Sequence, residues 1–309
     1  MDGVIIIDKP QDFTSFDVVA VMRRLCGQKK IGHTGTLDPM ATGVLPLLLG
    51  KATRAAPLLE DTDKEYEAGF RLGFSTDTQD ITGKARKESD AAVTREQLEA
   101  VLPAFRGDIL QLPPMYSAVQ KDGQRLYTLA RQGIEVERDA RPITVYKLEL
   151  NDYNEITRSG SLTIRCSKGT YIRTICADIG ERLGAFGVMS SLRRTAAAGF
   201  RLADAVTLEE AKLLSQQGTL AQRVLPTEHL FQGRPALRVS PAQAQRFRNG
   251  GGLSLDRTTL APQDKKDGME FRVLSPDGEF LGLGAVKLEK AELSVLRLFC
   301  NGEQSVSVR

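Results

Sequence analysis

The chain has 309 residues, 42 of them Lys or Arg and 39 Asp or Glu, for a formal charge of +3, with 41% hydrophobic and 26% charged residues. These values describe a globular protein long enough for two domains and a sizeable core, and they exclude wholesale disorder. The longest purely apolar stretches, Val4–Ile7 and the Pro-interrupted Val44–Leu49, fall far short of the roughly 18 residues a membrane span needs, and the start is unlike a signal peptide, so a cytoplasmic protein without membrane contact is expected.

In chain order, Val4-Ile5-Ile6-Ile7 reads as a buried strand ended by Lys9-Pro10. A helix follows, with Ser15 expected as its N-cap and Val18, Val21, Met22 and Leu25 on its apolar face. Tyr66–Leu72 alternates like a half-exposed strand, and Thr94 is expected to cap a helix running through Phe105. Leu162–Cys166 alternates again, before a helix over Tyr171–Leu183 with Ile172, Ile175, Cys176, Ile179 and Leu183 on one stripe. Between them, 113–141 is an excursion, irregular or helical, whose Lys121, Arg125, Arg131, Arg138 and Arg141 form either a solvated surface or a nucleic-acid contact. The end of the chain reads as a small β-rich unit: Phe271–Leu274 and Phe280–Val286 flank the turn Ser275-Pro276-Asp277-Gly278, and a short helix spans Pro241–Phe247. A break at Phe231–Pro241 divides the chain into 1–233, with 30 basic and 30 acidic residues, and 234–309, with 12 and 9. The whole is an α+β pattern of sheet covered by helices.

Two histidines, no tryptophan and four cysteines without a CxxC pair argue against a zinc site or disulfide framework, so no metal is expected and the thiols are read as buried and reduced. The most informative stretch is Gly32-His33-Thr34-Gly35-Thr36-Leu37-Asp38-Pro39, where glycines permit close backbone approach around a single acid. Asp38 is either a functional carboxylate or the cap of a helix that Pro39 starts. Gly43 to Gly50-Lys51 has the outline of a phosphate loop, but six residues intervene where that motif has four and Ala52 replaces its hydroxyl.

The stretch Gly32–Pro39 resembles the catalytic loop of the tRNA pseudouridine synthase B family. Lys9-Pro10 with Thr14-Ser15, Asp63-Lys64-Glu65-Tyr66, Lys168–Thr174 and Leu192-Arg193-Arg194 match further family segments in order, while Asp12 stands where the family usually has glycine. The resemblance implies a pseudouridine-synthase catalytic core, with a mixed, largely antiparallel sheet flanked by helices, over 1–233. It also implies a small C-terminal PUA-like RNA-binding domain over 234–309, with the 113–141 insertion contacting RNA. The implied reaction is isomerisation of uridine 55 in the T-loop arm of tRNA, which requires no cofactor. Asp38 would be the nucleophile; such a carboxylate must keep its charge in a site closed by RNA, which calls for a cation beside it, and Arg173 resembles the family's partner arginine. Tyr66 would stack on the base, with removal of the C5 proton a lesser role, and Tyr171 and Leu192 would wall the pocket or simply pack in the core. His33 would fill the space that the flipped base leaves, and Lys9 and Pro10 would support the pocket floor. A monomer acting on the T-stem-loop is expected. The rivals are a non-catalytic RNA-binding or RNA-folding protein on the same scaffold and, more distantly, a carboxylate hydrolase, which would need a second acid near Asp38.

Overall fold

The computed structural model describes residues 1–59 and 63–300; residues 301–309 of the expected C-terminal unit lie outside these. The apolar run at the start forms β1 (Gly3–Lys9), and α1 (Ser15–Leu25) follows. Its N-cap is Thr14, not Ser15: the Thr14 hydroxyl accepts from the Asp17 amide, and Asp17 accepts from the Thr14 amide. This reciprocal box satisfies two donors, which Ser15 could not match because Val18 stands three residues on.

Next come β2 (Ile31–His33), β3 (Thr42–Leu49), β4 (Lys64–Leu72), β5 (Phe74–Thr76) and β6 (Ala85–Glu88). The helix capped by Thr94 is α2 (Arg95–Val101); the last expected turn, Leu102–Phe105, tightens to 3-10 geometry where Pro103 removes a donor and crowds the turn before it. Then β7 (Gly107–Gln111), the short β8 (Gln120–Lys121) and β9 (Gln124–Arg125), α3 (Leu126–Arg131), β10 (Arg141–Asn154) and β11 (Ser159–Cys166) follow. The first part ends with α4 (Ile172–Arg182), β12 (Gly187–Ala197), β13 (Phe200–Arg201) and α5 (Leu208–Gln216). Beyond it lie β14 (Ala236–Arg238), α6 (Pro241–Arg248), β15 (Leu253–Ser254), β16 (Glu270–Leu274), β17 (Phe280–Lys287) and β18 (Glu292–Leu298).

The strands of the first part form a nine-stranded sheet in the order β1-β3-β12-β4-β11-β10-β7, with β2 beside β3 and β13 beside β12. Every pairing in it is antiparallel except β3 with β12, where Thr42 and Gly43 face Arg193 and Arg194. This is the mixed, largely antiparallel sheet that was expected. One apolar core joins Phe70, Leu98, Leu162, Ile175 and Ile179 between the sheet and α2 and α4; another joins Ile5, Val18, Met22, Leu47 and Ala211 beneath α1 and α5. A five-stranded sheet, β14-β16-β17-β18-β15, has its own core around Phe247, Phe271 and Val273.

The two sheets meet at an apolar joint of Ala55, Phe231, Leu283 and Phe299, where Phe231 and Phe299 ring centroids lie 5.5 Å apart. Arg234 fastens it, donating to the Leu58 carbonyl at 2.9 Å and to Glu270 at 2.6 Å. Among the described residues no helix is long and apolar enough to cross a membrane.

Candidate active site

The loop between β2 and β3 carries Asp38. No helix starts at Pro39; Asp38 instead opens a tight turn in which its carbonyl accepts from the Ala41 amide at 3.0 Å, so the capping alternative is excluded. The turn leads straight into β3, whose pairing with β1 leaves no room for a helix. The loop is pinned from several sides. Ser15 Oγ accepts from the Leu37 amide at 2.8 Å, the Asp12 amide donates to the Pro39 carbonyl at 2.9 Å, and Lys9 Nζ donates to that same carbonyl at 3.2 Å. Asp12 has φ +65°, a left-handed conformation that aspartate tolerates better than most residues, so the turn survives without glycine.

Arg173, in the first turn of α4, sits at a helix end that disfavours a cation, and specific partners hold it there. Its Nη2 lies 3.2 Å from Asp38 Oδ2 and donates to the Tyr116 carbonyl at 2.9 Å, while Nη1 lies 3.9 Å from Asp80 Oδ2. Asp80 is buried, and its other oxygen accepts from Thr78 Oγ1, Thr82 Oγ1 and the Thr82 amide. The guanidinium thus bridges a closed acid and an open one: the Asp38 side chain is 38% exposed and that of Asp80 7%.

On the sheet side, Tyr66 of β4 and Arg194 of β12 are cross-strand neighbours. Arg194 is wholly buried, donating from Nε to the Val44 carbonyl at 2.7 Å and from its Nη atoms to the carbonyls of Gly35 at 3.2 Å and Thr36 at 3.4 Å. Gly43 allows this approach: a Cβ there would stand 2.2 Å from the Arg194 carbonyl oxygen. Burial pushes the Tyr66 phenol up to about 12, against a smaller opposing effect of the Arg194 charge, so its proton stays on at neutral pH. That favours stacking over proton removal. Burial also brings Lys9 down to about 8, opposed by the Asp12 and Asp38 charges.

These groups surround a cavity of about 810 Å³, and Asp38, Tyr66, Tyr171, Arg173 and Leu192 all line it. Lys9 and Pro10 are not in its wall; Lys9 lies behind it, donating to the carbonyls of Pro10 at 2.8 Å, Phe13 at 2.5 Å and Pro39. His33 is likewise not in the lining. It ends β2, next to Thr34, which is, and its Nδ1 is buried without a hydrogen-bond partner among the described residues. Burial and then the Arg194 charge hold its imidazole below the usual value. The 113–141 excursion divides by role: Arg125 and Arg131 line the cavity and lie 6.0 and 5.5 Å from the Tyr127 ring centroid, whereas Lys121 donates to the Glu137 carbonyl and Arg138 to that of Pro113. Cys166 and Cys176 are buried, and burial pushes their thiols up to about 11 and 12.

Sequence reading missed Asp80, the Tyr116-Ser117 wall and the structural role of Arg194. The clustered Asp77-Thr78-Gln79-Asp80-Ile81-Thr82-Gly83 was a legible turn signal; nothing local marked Arg194 over Arg193.

Comparison with known proteins gives consistent matches. Residues 23–172 match the description "TruB family pseudouridylate synthase (N terminal domain)", residues 173–232 "tRNA pseudouridylate synthase B C-terminal domain", and residues 235–299 "Pseudouridine synthase II TruB, C-terminal". The tRNA pseudouridine synthase B of Geobacillus thermodenitrificans is 48% identical over 89% of this chain and 96% of its own length, and that of Ectopseudomonas mendocina 42% over 98% and 96%. Among solved structures, a chain of a Cbf5-Nop10-Gar1 complex superposes with a TM-score of 0.73 at 26% identity, over 97% of this chain and 85% of the other.

Proposed function

The chain belongs to the TruB family of pseudouridylate synthases and isomerises uridine in tRNA, and from that premise we propose that it acts on uridine 55 of the T-stem-loop with Asp38 as nucleophile. The observation that carries the reading is the Asp38–Arg173 pair, an ion-paired carboxylate opening into a cavity of about 810 Å³, which suits a nucleoside. In the reaction the N1–C1′ bond breaks, the uracil turns, C5 bonds to C1′, and C5 gives up a proton while N1 gains one. Attack at C1′, assistance to glycal formation and addition to the base all draw on one carboxylate held beside the sugar.

The remaining roles are those that the family motifs imply for the residues matching them. Tyr66 stacks on the extruded base, Tyr171 and Leu192 form its other walls, and His33 fills the gap left in the RNA at a cost of a few kcal/mol for flipping. Lys9 and Pro10 hold the floor. Arg125 and Arg131, with the unit over 234–309, bind phosphates alongside a catalytic unit over 1–233, so affinity falls as salt rises. The protein works as a cytoplasmic monomer. Incubation with unmodified tRNA followed by chemical mapping should give pseudouridine at position 55 alone; product at another uridine, or none, would reject the assignment.

A further inference from the structure

Ser117 is 4% exposed, and its Oγ has no hydrogen-bond partner among the described residues. Buried hydroxyls without partners are rare and costly, and they mark places where a group outside the folded chain supplies the bond. Other such atoms, on Arg23, His33 and Arg138, belong to residues outside the cavity wall; Ser117 is in that wall. Its backbone is held at both ends, the amide donating to the Met115 carbonyl at 2.9 Å and the carbonyl accepting from the Tyr127 amide at 3.0 Å. The oxygen is closed to solvent in the free protein, so a rotation about χ1 is what would turn it toward a group in the cavity. The preceding carbonyl, of Tyr116, is the one that takes Arg173 Nη2, so Ser117 is fixed one residue from the group that pairs with Asp38.

We infer that the Ser117 hydroxyl is a specificity contact to the nucleoside in the cavity, completing its hydrogen bonding on a polar group of the flipped uridine. This rests on the reading that uridine enters this cavity. A hydroxyl both donates and accepts, so it matches a uracil carbonyl, the uracil N3–H or the ribose 2′-hydroxyl. The contact has an unusual signature. Alanine at this position removes a buried group that the free protein leaves unsatisfied, so it should stabilise or leave unchanged the free protein while weakening catalysis.

The test is Ser117→Ala in the full chain, assayed on T-stem-loop RNA. The urea midpoint of the free variant should equal or exceed that of wild type, while kcat/KM falls about tenfold, the worth of one hydrogen bond to substrate. A lowered midpoint together with lowered turnover would overturn the inference, because the hydroxyl would then serve the fold. An unchanged kcat/KM would overturn it as well. RNA carrying 2′-deoxyuridine at the target locates the contact: a variant-to-wild-type ratio of kcat/KM that returns to one on this RNA assigns the ribose, and a ratio that stays low assigns the base. Wild-type protein in the same assay separates the two claims. Absence of wild-type product rejects the uridine reading and this contact with it; normal wild-type turnover with an unaltered variant rejects the contact alone.

Discussion

The sheet wall of the cavity and the arm wall facing it are held together by different means. Tyr66, Leu192 and Arg194 stand on paired strands in the middle of a nine-stranded sheet, and Arg194 spends its donors on three carbonyls of the Asp38 loop and β3. The arm is the irregular segment through Ser117, a hairpin of two two-residue strands, β8 and β9, and the six-residue α3, followed by a stretch without regular structure up to β10. It carries exposed Gln124 and Arg125 and an unsatisfied Ser117 hydroxyl. Arg173 joins the walls, with Asp38 on one side and the Tyr116 carbonyl on the other. The contrast suggests a division of labour in line with the reading proposed above: the sheet side holds the Asp38 loop through Arg194, and the arm keeps a polar group without a partner among the described residues.

If that division is right, damage to the sheet wall should cost stability first. Arg194→Met would leave the carbonyls of Gly35, Thr36 and Val44 without their donor. Urea denaturation should show a loss of about 3 kcal/mol or more, with turnover lost too; a loss under ~1 kcal/mol would break the comparison. Next in size, Asp80→Asn removes the closed charge beside Arg173 but keeps an oxygen for Thr78 and Thr82. Turnover should fall about tenfold with RNA affinity retained, a split that kcat and a binding titration would resolve; equal losses in both would assign Asp80 to RNA binding. The smallest effect is a pH dependence. Folded Lys9 titrates at about 8 because of burial, below its ordinary 10.5, so between these values the unfolded chain holds a proton that the folded one has released. Stability contributed at Lys9 therefore rises with pH across that window. The urea midpoint of wild type relative to Lys9→Met should grow from pH 8 to 10.5, and a flat difference would contradict the buried-floor assignment.

Much of this was legible in the sequence for identifiable reasons. Strands such as Lys64–Leu72 announce themselves by alternation, and the Thr94 and Ser275–Gly278 signals are local. Asp38, Arg173, Tyr66, Tyr171 and Leu192 came from motif resemblance, and all five line one cavity. What stayed hidden depends on long-range register. Arg193 and Arg194 are adjacent, so strand alternation sends them to opposite faces, and only the position of β12 between β3 and β4 decides that Arg194 is buried on the carbonyls of Gly35, Thr36 and Val44 while Arg193 reaches Asp8. The Ser15 expectation failed for a local reason, the reciprocal box of Thr14 and Asp17, and that leaves the Ser15 hydroxyl to accept from the Leu37 amide, 22 residues away.

The central claim is that Asp38 performs the chemistry on a platform built without it. Asp38→Asn, assayed by pseudouridine mapping on unmodified tRNA under single-turnover conditions, should fold as wild type, bind the RNA and yield no product. Pseudouridine formed by that variant at the wild-type rate would contradict the account.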